Sequence, residues 1–75
     1  MRIPTIDTVA TGKNIKKMRE ESGLTVSKLQ SKLMLAIPNA IYKWQRGDSL
    51  PSIDNLVALS AIFNVKIDDI LVIKQ

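Results

Sequence analysis

The sequence predicts an all-α domain, five short helices packed into one compact unit. Three observations carry that prediction. Apolar side chains recur at three- and four-residue spacings along most of the chain. Residues that start helices (Asp7, Thr25, Ser52) and residues that stop them (Gly23, Gly47, Asn64) cut those stretches into short segments. The length of 75 residues suits one small domain.

Residues 1–7 form an N-terminal arm that holds Pro4. The domain proper is expected over residues 8–71, and residues 72–75 form a tail. The first helix spans Thr8–Ser22, capped by Asp7 or Thr11, with Ile15, Met18 and Ser22 on one face. Gly12 weakens its first turn, and Gly23 closes it in a left-handed conformation. Thr25 caps a second helix over residues 26–33, whose Val26, Leu29 and Leu33 share a face. Pro38 suits the first turn of a third helix over residues 38–46, because a missing N–H costs nothing there. Ser52 caps a fourth helix, Ile53–Phe63, in which Ile53, Leu56, Val57, Leu59 and Phe63 are expected to form a broad buried face. A fifth helix is expected over Ile67–Leu71, with Asp68 and Asp69 near its positive end. Ile70-Leu71-Val72-Ile73 cannot bury four side chains on one helical stripe, and the arm Ile3–Ile6 alternates. That surplus apolar surface should either pair the two termini or form a contact between copies.

Composition excludes several function classes. The chain has no Cys and no His, which removes disulfides, thiolate nucleophiles, zinc fingers and the commonest general base and metal ligand. Asp68 and Asp69 are neighbours and diverge on a helix, as do Glu20 and Glu21. No glycine-rich phosphate loop is present, so neither catalysis, a bound cofactor, a metal nor a small-molecule substrate is expected. Nothing resembles a membrane span or a targeting segment, and the expected location is the cytoplasm. Eleven Lys and Arg against seven Asp and Glu give a net charge of +4. The charge is uneven: residues 1–47 hold nine basic and three acidic side chains, and residues 48–75 two basic and four acidic. A polyanion would therefore face the first two thirds of the chain.

The second and third helices, joined by a short turn, read as a helix-turn-helix, whose second member can enter a DNA major groove. Within the third helix, Ala40, Ile41 and Trp44 should face the core. Asn39, Tyr42, Lys43 and Arg46 fall at i, i+3, i+4 and i+7 and make one outward stripe with no acid in it. Asn can bond adenine in two places and Lys can donate to guanine acceptors. Single-stranded RNA binding would need an exposed aromatic platform that the sequence lacks.

These residues carry a family resemblance. Gly12-Lys13-Asn14-Ile15-Lys16-Lys17-Met18-Arg19, Gly23-Leu24-Thr25, Leu29, Leu33, Lys43-Trp44-Gln45-Arg46-Gly47, Leu50-Pro51-Ser52, Asn55-Leu56, Leu59 and Asp68-Asp69-Ile70-Leu71 resemble, in order and spacing, the lambda-repressor/Cro-like helix-turn-helix family, also called XRE. The resemblance covers roughly residues 8–71. It implies a compact five-helix DNA-binding domain of a transcription regulator, read as a repressor that binds double-stranded DNA as a homodimer. It places base reading at Asn39, Tyr42 and Lys43, and phosphate contacts at Thr25, Val26, Lys28, Arg46 and Ser49. The alternative is a protein-interaction module on the same fold, an antitoxin or anti-repressor partner.

Four departures from the family pattern stand out. Val26 occupies a position often held by Gln, so only its backbone donor is left for a phosphate. Met34 replaces the usual turn Gly, and a left-handed Met costs ~1 kcal/mol or more, so another turn shape is expected. The stretch between Leu33 and Trp44 is one residue longer than the common pattern. Gln45 stands where Glu commonly pairs with a first-helix Arg, here Arg19.

Overall fold

Short polar side chains begin three of the helices in the computed structural model, which describes residues 2–74. The Asp7 carboxylate accepts from the Ala10 amide at 2.9 Å and opens α1 (Thr8–Glu21). Thr25 Oγ1 accepts from Lys28 at 3.1 Å and opens α2 (Val26–Lys32). Ser52 Oγ accepts from Asn55 at 3.2 Å and opens α4 (Ile53–Phe63). Each bond satisfies an amide that the first helical turn leaves without a partner. The other two helices start differently. At α3 (Asn39–Arg46) Pro38 occupies the capping position itself, and no side chain caps the helix. At α5 (Ile67–Ile70) the Asp69 carboxylate accepts from the Lys66 amide at 3.1 Å.

Four helices end in one way. A left-handed residue follows the last turn: Gly23, Met34, Gly47 and Asn64, with φ of 72°, 57°, 81° and 55°. The next amide then reaches back five residues, from Leu24 to Arg19, Leu35 to Gln30, Asp48 to Lys43 and Val65 to Ser60, at 2.9–3.1 Å. Met34 thus corrects the expectation of another turn shape. It takes the glycine conformation with its side chain 90% exposed. The surroundings impose it: Leu35 donates to the Gln30 carbonyl, its own carbonyl accepts from Gln30 Nε2 at 3.2 Å, and its side chain packs on the core.

Every helix contributes to one core, made of Ile15, Leu29, Ile41, Trp44, Leu59, Phe63 and Ile70. Burying each such side chain is worth roughly 1.5–3 kcal/mol. The broad buried face expected on α4 is narrower than the sequence suggested. Leu59 and Phe63 are buried and Leu56 half-buried, but Ile53 is 78% and Val57 55% exposed. At about 100° per residue, Val57 lies far round the helix from Leu59, and an apolar stripe of about that width is all one neighbouring layer covers. Ser22, likewise expected beside Ile15, is exposed.

Gly12 has a use the helical pattern concealed. It is fully buried, and a Cβ there would collide with the Trp44 carbonyl oxygen, so α1 and α3 pack backbone to backbone. The termini pair with each other: β1 (Thr5–Ile6) runs antiparallel to β2 (Ile73–Lys74), with Ile6 opposite Ile73. The Val72 carbonyl accepts from Asp7 at 2.8 Å, and buried Thr11 Oγ1 accepts from the Val72 amide at 2.9 Å. Asn14 Nδ2 donates to the carbonyls of Asp69 and Ile70 at 2.8 and 3.0 Å, holding the end of α5 against α1. No helix among the described residues is long and apolar enough to cross a membrane.

Candidate nucleic-acid interface

The two faces of α3 separate cleanly. Ile41 and Trp44 are buried, and Ala40 packs against the core from its edge. On the other side Asn39, Tyr42, Lys43 and Arg46 are exposed and together line one shallow, open concavity. Spacing explains the grouping, since residues three and four apart stack on one side of a helix. Two cations, an amide and a phenol meet there. Among the described residues one of their side-chain donors is engaged: Arg46 Nε donates to Asp48 Oδ2 at 2.8 Å.

The five residues assigned to phosphate contact lie in three places. Arg46 sits in the concavity, and Ser49 is exposed in the loop that follows α3. Thr25, Val26 and Lys28 stand at the start of α2, outside that concavity. Thr25 is exposed, with its hydroxyl engaged as the cap of α2. Lys28 is exposed, while the Val26 side chain packs on the core and turns no polar atom outward.

Arg19 braces the element from behind. Its Nε donates to Gln45 Oε1 at 3.0 Å and its Nη1 to the Leu24 carbonyl at 2.7 Å. One half-buried guanidinium therefore ties α1, the α1–α2 turn and α3 together. Its acceptors are both neutral, so the cationic charge of Arg19 is left uncompensated beside α3. Sequence reasoning missed Asp48. The signal was there in Arg46-Gly47-Asp48, because a left-handed glycine turns the following residue back onto the helix end. Met34 and Ile37, exposed ahead of α3, were also unanticipated as surface residues. Among the described residues no group of three or more acidic side chains is placed to hold a metal ion.

A family model described as helix-turn-helix matches residues 15–70. The chain belongs to this family. The match covers α2, α3 and the turn between them, and it agrees with the lambda-repressor/Cro-like, or XRE, resemblance of the sequence. The helix-turn-helix domain is thereby placed among DNA-binding regulators of transcription. Solved structures share its fold. The restriction-modification controller protein C.AhdI from Aeromonas hydrophila aligns with a TM-score of 0.75 at 20% identity, over 85% of this chain and 96% of that one. The clp gene regulator ClgR from C. glutamicum aligns with a TM-score of 0.71 at 19% identity, over 84% of this chain and 80% of that one. No curated protein matches the helix-turn-helix chain by sequence.

Proposed function

We propose that the protein is a sequence-specific regulator, acting as a repressor, that binds duplex DNA with α3 in the major groove. The observation that carries this reading is the acid-free outward stripe of α3, whose four polar side chains share one concavity while the opposite face is buried. Asn39 is matched to the paired donor and acceptor of an adenine edge, and Lys43 to the acceptors of guanine. Tyr42 supplies a ring for a thymine methyl and a hydroxyl for a phosphate. Thr25, the Val26 amide, Lys28, Arg46 and Ser49 set register on the backbone, as sequence-independent contacts do. The charge imbalance toward residues 1–47 supports approach of this side to a polyanion. The protein works in the cytoplasm as a binder, not an enzyme. It acts as a homodimer that reads two half-sites about 10 bp apart, and it represses by occupying its operator. That C.AhdI and ClgR are described as a controller and a regulator supports the same reading.

The decisive experiment is selection of bound sequences from random duplexes, repeated with Lys43→Ala. The unaltered chain should enrich one motif, and the variant should lose preference at one base position by ~1–3 kcal/mol. Failure to enrich any motif, or binding that ignores salt, would overturn the proposal.

A further inference from the structure

Beside the outward stripe of α3 stands the Asp48 carboxylate. Gly47 turns the chain in the left-handed region, and the Asp48 amide donates to the Lys43 carbonyl at 2.9 Å. That turn carries Asp48 back over the helix end, where its Oδ2 lies 2.8 Å from Arg46 Nε. This is the one ion pair among the described residues, and its side chains are 60% and 56% exposed. Exposed pairs contribute little to a fold, so stability does not account for an acid at this spot. Its position does: Arg46 lines the same concavity as Asn39, Tyr42 and Lys43.

We propose that Asp48 competes with the DNA backbone for Arg46 and so holds down binding to duplexes of every sequence. The inference rests on the reading of α3 as the groove-facing element. A phosphate reaches the free Nη donors of Arg46, but it meets a guanidinium whose charge the Asp48 carboxylate on Nε already offsets. The carboxylate beside Arg46 then faces the polyanion and repels it. Backbone contacts supply affinity without regard to sequence, whereas base-edge contacts discriminate. With the Arg46 contribution offset, a duplex is held only when Asn39, Tyr42 and Lys43 find their bases. Occupancy of unrelated DNA falls, at no cost to the reading side chains.

The test compares Asp48→Asn with the unaltered chain on a random-sequence duplex and on a duplex recovered by selection, over a salt series. Asp68→Asn, on the exposed surface of α5, changes net charge equally and serves as the control. Asp48→Asn should bind both duplexes about three- to tenfold more tightly, the range expected for removing one charge near a phosphate. Its salt dependence should steepen by up to about 0.9 in log–log slope, because the Arg46 charge at the backbone is then no longer offset. The thermal midpoint should stay unchanged. The control should shift affinity less than about twofold, as expected for a screened charge on another helix. Equal effects of the two variants, or weaker binding by Asp48→Asn, would overturn the inference alone. If the unaltered chain binds neither duplex, the reading of α3 falls with it.

Discussion

The turns after α2 and α3 flank the proposed reading helix and close in the same geometry, yet one uses methionine and the other glycine. At Gly47 the choice is forced twice. Its φ is 81°, and a Cβ would stand 2.8 Å from the Cα of Val9 on α1. At Met34 the φ is 57°, but the residue is 90% exposed and its side chain projects into solvent. The conformation strains methionine and suits glycine, and only the Gly47 site also lacks room for a Cβ. A left-handed turn is therefore imposed by the hydrogen bonds that close it and by the packing of the residue after it. Residue type decides how much strain the turn stores, not whether it forms.

Four substitutions break or sharpen that comparison. The largest effect is expected from Gly47→Ala, which adds left-handed strain to a backbone collision. A loss of ~3 kcal/mol follows, enough to lower the thermal midpoint of so small a domain by roughly 15 °C. Gly23 is the control. It has φ of 72° with nothing within 4 Å of an added Cβ, so Gly23→Ala isolates the strain. It should cost ~1 kcal/mol, read by urea unfolding, after the stiffer unfolded chain offsets part of the strain. Met34→Gly runs the experiment backwards and should stabilise by up to ~1 kcal/mol, read from the same denaturant midpoint with an unchanged slope. A loss of stability would show that the methionine side chain makes a contact in solution. The smallest effect is expected from Gln45→Glu, on the side of α3 that meets Arg19. A charge-assisted bond to Arg19 should add ~0.5 kcal/mol, while the new carboxylate weakens duplex binding in low salt. Unchanged DNA affinity would place Gln45 outside the field felt by the duplex.

The legible parts of the fold are those that depend on neighbours in sequence. Asp7, Thr25 and Ser52 were readable as caps because a cap needs only a short oxygen-bearing side chain and the amide three residues on. Gly23, Gly47 and Asn64 were readable as stops for a similar local reason. The outward stripe of α3 was readable from spacing, since helical geometry alone gathers Asn39, Tyr42, Lys43 and Arg46. Most of the misreadings were cases where a distant element decides. Gly12 looked like a flaw in α1 until α3 was found pressed against it. Ile53 and Val57 looked like core because an apolar residue does not state whether a second helix reaches it. Surplus apolar residues at both termini admitted two outcomes, and the strand pair of Ile6 with Ile73 is one of them.

By itself the sequence determined the all-α class, the chemistry of the helix ends, the composition of the α3 stripe and the exclusion of cysteine and histidine chemistry. Those follow from local hydrogen bonding and from the period of the helix, both of which act over a few residues. Tertiary structure alone decided the backbone-close contact of α1 with α3, the left-handed Met34 and the width of the α4 core face. Each depends on where a turn sends the chain and what it meets there, which no local pattern of residues contains.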